Sequence, residues 1–265
     1  VVGGSAGRDS PFVDYERQAA RYRRGRGLSS ELLDHWGAAV VAHLPPSPRR
    51  VLDVGAGTGL FATVWASWLE GADRAAGRAA VERVVVAVEP SPAMVAEFDR
   101  SAPGVGVVRG RAEALPVAAA SVDVIWVSTA LHHFADLDAA VGEFARVLRP
   151  DGRVLVRTFL PGRSPPPFAD QLPGREKWQR RFPGEEELAA RFARHGLELR
   201  ASDLVPEGTA TFAESAEWVA LMRDADSILT ALDPEEVDEG LRRLRATPDR
   251  VAHLGLSLLV FGPRR

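Results

Sequence analysis

Three glycines at alternate positions, Gly55, Gly57 and Gly59 in Val51-Leu52-Asp53-Val54-Gly55-Ala56-Gly57-Thr58-Gly59-Leu60-Phe61, are the residues of this chain best suited to hold a ligand. Lacking Cβ atoms, they let the backbone turn sharply and approach a bound molecule closely. Val51, Leu52 and Val54 read as a buried parallel strand entering the turn. Leu60, Phe61, Val64, Trp65 and Trp68 then recur at helical spacing, so a helix N-terminus faces whatever the turn holds. The spacing is G-x-G-x-G, unlike the G-x-G-x-x-G of the dinucleotide fingerprint, and no basic residue follows as in a phosphate-binding P-loop. Asp53, at the strand end, is placed to order the glycine loop. Glu89 closes the apolar run 84–88, where a carboxylate can accept both hydroxyl protons of a ribose. His132 and His133 follow a later apolar run and add the side-chain type that titrates near neutrality.

Short apolar runs alternating with helical periodicity provide the elements that position these residues. Strands are expected at 50–54, 83–89, 106–109, 122–128 and 152–159, with helices at 59–69, 92–100 and 137–148. That alternation implies right-handed βαβ units and a mostly parallel sheet covered on both faces. Helical periodicity also marks 14–22 and 30–44, with Ser29 or Ser30 and Glu31 as a start signal and Pro45-Pro46-Ser47-Pro48 as a stop. Residues 71–80 read as a surface insertion, and 161–173 as a loop rich in proline and glycine. A helix at 185–195, a strand at 197–204, helices at 212–232 and 234–245 and a strand at 254–261 complete the pattern. The organisation expected is an N-terminal helical segment (1–45), a core (46–160) and a C-terminal part of the same domain (161–265). Lid segments at 161–182 and 210–247 accompany edge strands in that last part.

Two further segments narrow the cofactor. One is Gly110-Arg111-Ala112-Glu113-Ala114-Leu115-Pro116, followed by 121–128 and then Ala130-Leu131-His132-His133-Phe134; the other is Arg146-Val147-Leu148-Arg149-Pro150-Asp151-Gly152. With these four motifs in order over residues 30–160, the chain resembles the class I S-adenosylmethionine (SAM) dependent methyltransferases, in particular the small-molecule branch (methyltransferase type 11-like). The resemblance implies a three-layer α/β, Rossmann-like fold with a seven-stranded, mostly parallel sheet, an antiparallel last strand and a helical lid. It implies SAM as cofactor and S-adenosylhomocysteine as product. By the same resemblance Gly55, Ala56, Gly57 and Gly59 wrap the methionine part beside Asp53, Glu89 binds the ribose, and Pro90 and Met94 flank the adenine. The Ala112 backbone and the Glu113 side chain address the adenine edge, and Ser128 lies beside the sulfonium. Tyr22 and Arg26 occupy the place from which relatives reach the cofactor carboxylate; a solvated basic face is the other reading. Relatives often carry aspartate where Arg111 stands, and arginine cannot accept the adenine amino protons.

Methyl transfer asks mainly for alignment and exclusion of water, with a base useful for a hydroxyl or phenol acceptor. His132 and His133 are the candidate catalytic residues; His132 is expected to face the acceptor and His133 to pack beside it. Phe159, Trp178, Trp218 and Met222 are expected to shape an apolar substrate pocket under the lid. The segment 221–230 resembles the lid helix of actinobacterial methyltransferases of secondary metabolism. A SAM-dependent methyltransferase acting on a small molecule at O, N or C is therefore expected. A SAM-binding fold that promotes cyclisation or elimination, or that serves as a cofactor-binding partner subunit, is the alternative. The glycine spacing argues against an NAD-dependent oxidoreductase.

The bulk composition sets the outer bounds. The 265 residues carry 33 basic and 36 acidic side chains, interspersed, for a formal net charge of -3, so no footprint for nucleic acid or a membrane surface is expected. Cysteine is absent, which removes disulfides, thiolate metal ligands and a cysteine nucleophile, and no histidine spacing suggests a metal. No apolar run is long enough to span a bilayer and residues 1–10 lack the apolar core of an export signal, so a cytoplasmic protein is expected. Oligomeric state is not legible in the sequence.

Overall fold

A computed structural model of the protein describes residues 28–79, 81–163, 166 and 168–264; Tyr22, Arg26 and the expected helix at 14–22 lie outside them. Among the described residues, seven strands form one sheet: β1 (Arg50–Val54), β2 (Val84–Glu89), β3 (Val105–Arg109), β4 (Val122–Ser128), β5 (Leu148–Thr158), β6 (Leu197–Thr211) and β7 (Val251–Pro263). Their order is β3-β2-β1-β4-β5-β7-β6. β1 to β5 pair in parallel, whereas β7 runs antiparallel to both β5 and β6. This is a three-layer Rossmann-like sheet with its last strand reversed.

The helices are α1 (Ser30–Val41), α2 (Leu60–Ala75), α3 (Pro92–Ala96), α4 (Leu137–Val147), α5 (Arg175–Gln179), α6 (Glu185–Arg194), α7 (Phe212–Met222) and α8 (Pro234–Ala246). α1 begins at Ser29, whose side chain accepts the Leu32 N–H, an N-cap that satisfies a donor with no intrahelical partner. Strand side chains alternate between the two faces. Leu52, Val54, Ile125, Val127, Val154 and Val156 pack with Ala140, Phe144 and Phe192 of α4 and α6. On the other face Val51, Val124, Trp126 and Leu155 pack with Trp36 of α1 and Phe61, Trp65 and Trp68 of α2. Trp126 is the hub of that face, with ring centroids 5.2 Å from Phe61, 5.8 Å from Trp65, 6.3 Å from Trp68 and 6.4 Å from Trp36, all edge-on.

A third apolar cluster lies in the C-terminal helices and the turns between them, where Phe168, Trp178, Phe182, Phe212, Val219, Met222 and Leu244 bury one another. Lys177 of α5 joins Asp233 Oδ2 at 2.9 Å and Glu236 Oε1 at 2.8 Å at the start of α8, tying two lid helices together.

Several element boundaries differ from the sequence expectation, among them the start of β5, at Leu148 and not 152. α2 continues through Gly71 to Ala75, because Asp73 in its last turn is ion-paired with Arg78 and Arg83, which anchors the helix end. α3 stops at Ala96, four residues early, and its end is closed by the Phe98 N–H on Val95 O at 3.3 Å. β6 runs on to Thr211, past the expected end at 204, and β7 starts at Val251; the register shift at Pro206/Gly208 lets the pairing continue through Pro206-Glu207-Gly208. α7 ends at Met222, whose carbonyl takes the N–H groups of Ala225 and Asp226, and the Asp226 side chain then starts a 3₁₀ turn (Leu229–Ala231). Trp126→Ala is expected to lower the unfolding free energy by about 3–5 kcal/mol. Denaturant unfolding measures it, and a loss below about 1 kcal/mol would contradict the place of this ring at the centre of the aromatic face.

Candidate functional site

The glycine turn takes its shape from the end of β2. Val88 O accepts the N–H of Gly55 at 2.9 Å and of Ala56 at 3.3 Å. Glu89 Oε2 then accepts the N–H of Gly57 at 2.8 Å, while its Oε1 accepts the N–H of Ser91 at 3.0 Å. Gly55, Gly57 and Gly59 have φ of 72°, 57° and 89°, the left-handed region that disfavours a side chain. A Cβ at Gly59 would also sit 2.4 Å from the Phe98 ring. The turn is therefore glycine for its own conformation as well as for any ligand.

The loop forms one wall of a cavity of about 620 Å³, within the range of roughly 300–1,000 Å³ common for small-molecule sites. Asp53, Gly55, Ala56, Gly57, Gly59 and Ser128 line it from the core, and Phe159, Phe168, Trp218 and Asp226 line it from the lid side. Asp53, Ser128 and Arg157 each stand two residues beyond a core residue of the aromatic face, namely Val51, Trp126 and Leu155. Strand alternation thus brings three polar groups from the carboxyl ends of β1, β4 and β5 to one side of the sheet. Thr129, also on the wall, has φ of 49°, a strained value for a β-branched residue of the kind that clusters at functional sites.

Asp53 is 2% exposed, and its Oδ2 has no hydrogen-bond partner among the described residues. Burial, and next the charge of Glu89, push its pKa up to about 8, with a hydrogen bond from the Ala62 backbone working the other way. A buried carboxylate in this state calls for a cation. SAM carries an ammonium and a sulfonium, so the orphaned oxygen, the glycine cradle and the cavity volume fit that cofactor.

Sequence reasoning did not single out Arg157 and Glu207. Arg157, 6% exposed, is ion-paired with Glu207 of β6 and lies over the rings of Trp36 at 4.8 Å and Phe61 at 5.4 Å. It also donates to Ser128 Oγ at 3.3 Å, and Glu207 accepts the Trp36 Nε1–H at 2.8 Å. The available signal was a lone arginine in the otherwise apolar run Val154-Leu155-Val156-Arg157.

Several expected site residues stand elsewhere. Trp178 and Met222 are buried in the lid's own apolar cluster and are not on the cavity wall, because the lid helices need a core of their own. His132 is also off this wall: its ring is buried, Nε2 lies 2.9 Å from Ser227 Oγ, and the Phe182 ring is 4.4 Å away. The His133 ring packs against His132 at 4.0 Å. Glu89, Pro90, Met94, Ala112 and Glu113 lie behind or beside the loop and do not line the cavity. Glu113 Oε1 takes the N–H groups of Ala135 at 2.7 Å and Asp136 at 3.2 Å, and its Oε2 is 3.8 Å from Arg111. Met94 is a buried residue of α3, the helix that Ser91 caps.

A parallel sheet of this order, reversed at its last strand and carrying a glycine turn and a following acid at its carboxyl edge, has the architecture of class I methyltransferases. Residues 52–156 match the family model described as a methyltransferase domain. A malonyl-[acyl-carrier protein] O-methyltransferase of Halorhodospira halophila is 32% identical over 255 residues, which cover 91% of this chain and 76% of that protein. One of the same name from Methylococcus capsulatus is 39% identical over 125 residues, covering 46% of this chain and 41% of the relative. The first curated relatives are thus matched over about two fifths of their length (41% and 40%). Among solved structures, the [4+2]-cyclase SpnF shares the fold with a TM-score of 0.59 at 19% identity, over 95% of this chain and 94% of that one. The chain belongs to the class I SAM-dependent methyltransferase superfamily, enzymes whose cofactor is S-adenosylmethionine.

The state of Asp53 gives a pH dependence. Its folded pKa lies above the ordinary 3.8, so the cofactor-free fold holds a proton that the unfolded chain has released. That contribution to stability is lost as pH rises from about 4 to about 8. Asp53→Asn is expected to flatten this decline in thermal or urea unfolding, and to weaken SAM binding about tenfold or more through loss of the charge. A variant whose stability falls with pH as steeply as the wild type would contradict the assignment.

Proposed function

We propose that this chain transfers the methyl group of SAM to a small-molecule acceptor of natural-product biosynthesis, held between the glycine turn and the C-terminal helices. The observation that carries this reading is the cavity whose walls are the loop of residues 55–59 on one side and Phe159, Phe168 and Trp218 on the other. When bound, SAM supplies a methyl group already activated by a sulfonium, ready for in-line displacement. The chain's own work is alignment and the exclusion of water.

In this reading Asp53 meets the cationic part of the cofactor, the glycines let its methionine end lie close against the loop, and Glu89 keeps the loop in shape beside the ribose. Arg157 fixes Ser128 from one side and, through Glu207, joins β5 to the strand that leads into the lid. The aromatic wall keeps the reacting centre dry. His132, fixed to Ser227 of the lid, acts as a positioning residue for that segment; no proton transfer is assigned to it. Residues 46–160 form the cofactor half in this account, and 161–182 with 210–247 form the lid. The relatives named as malonyl-[acyl-carrier protein] O-methyltransferases support methyl transfer as the reaction. The protein is taken to work in the cytoplasm without nucleic acid or membrane.

Incubation with methyl-labelled SAM and a panel of candidate acceptors tests the reading. Label is expected in the acceptor, with one S-adenosylhomocysteine formed per methyl group moved. Acceptor turnover to an unlabelled product would contradict it and leave a SAM-holding fold that promotes another reaction. Gly57→Arg, which blocks the loop, is expected to abolish label transfer while circular dichroism stays that of the wild type.

A further inference from the structure

We infer that the acceptor is an amine, bound as its ammonium form by the face of α7 that carries Glu214 and Trp218. This deepens the methyltransferase reading and rests on it. Glu214, Ser215 and Trp218 all line the cavity, and the i, i+4 spacing of Glu214 and Trp218 puts a carboxylate and an indole on one helical face. The Trp218 ring stacks on Phe168, also on the wall, with centroids 5.0 Å apart and planes 22° from parallel. A carboxylate beside two aromatic faces is the chemistry that recognises ammonium groups.

The Glu214 charge is secured by its own helix. As the third residue of α7 it closes a capping box, accepting from Thr211 N at 2.7 Å and Thr211 Oγ1 at 2.9 Å. Those bonds, from the backbone first and the hydroxyl second, hold its pKa below the usual carboxylate value.

The rest of the wall points the same way. Asp53, Asp99, Glu207, Glu214 and Asp226 line the cavity, against one basic side chain among the described wall residues, Arg157. That guanidinium is ion-paired with Glu207. With Arg157 taken up by Glu207, no basic side chain among the described wall residues opposes the Glu214 charge, so a cation is favoured beside it over an anion. In the transfer the acceptor nitrogen first gives one proton to water. Its lone pair then forms the N–C bond as the C–S pair returns to sulfur, which leaves a thioether and a methylated ammonium.

The test uses protein saturated with S-adenosylhomocysteine and two probes of equal shape and opposite charge, 2-phenylethylamine and phenylacetate, titrated by calorimetry. The amine is expected to bind about tenfold or more tightly than the acid. Glu214→Gln keeps the capping box and is expected to reduce the difference to about threefold or less, with an unchanged melting temperature. Trp218→Leu is expected to weaken the amine and leave the acid as it was. Phenylacetate binding as tightly as the amine, amine affinity indifferent to Glu214→Gln, or binding of neither probe at millimolar concentration would overturn the proposal. Failure of S-adenosylhomocysteine itself to bind would instead remove the cofactor reading beneath it.

Discussion

The hydrogen bond from the Gly57 N–H to Glu89 Oε2 is the contact on which the site depends. β1 and β2 run in register, Val54 beside Val88, so the last residues of β2 meet the residues leaving β1 one after another. Val88 O takes the amides of Gly55 and Ala56, and Glu89 takes the next one. The loop cannot open without losing these bonds, and the first turn of α2 is set down where Gly59 fits against Phe98. The arrangement places two carboxylates, Asp53 and Glu89, close together in a buried space. Their repulsion and the burial of Asp53 are unfavourable in the empty protein and are relieved by a cation. The same contact that shapes the turn therefore also sets the charge that Asp53 faces.

The second constraint is the two-residue period of the strands. On β1, β4 and β5 it extends the aromatic face into Asp53, Ser128 and Arg157, so the packing that stabilises the sheet also aims the polar groups. Arg157 is where the two meet: its guanidinium rests on Trp36 and Phe61, holds Ser128, and reaches Glu207 on β6. A charge this deeply buried needs its partner, and removing one member of such a pair typically costs several kcal/mol. The pair couples the cofactor side of the cavity to the strand that feeds α7.

The parallel half of the fold was legible because strand and helix periods alternate cleanly there; β1 and β4 fall at the residues the pattern indicates. The glycine turn was legible because its spacing has few other uses. The lid was much less so. The strand was expected to end at 204, yet pairing with β7 overrides the poor strand preference of Pro206 and Gly208 and carries it through to Thr211. Trp178 and Met222 have the size and polarity of pocket residues, but no sequence signal separates a pocket wall from the small core a lid needs for itself. His132 sits at the right edge of the sheet, and only the packing of Phe182 and Ser227 reveals that its ring is buried. Arg157 and Glu207 are far apart in sequence, and a partner pair across three strands leaves no local trace.

Calorimetric titration of the wild type and of Glu89→Ala with SAM and with NAD, side by side, tests the central claim most directly. The account predicts saturable one-to-one binding of SAM by the wild type, no measurable binding of NAD, and SAM affinity reduced about tenfold or more in Glu89→Ala with the fold intact. Equal SAM affinity in the two proteins, or NAD bound as well as SAM, would contradict it.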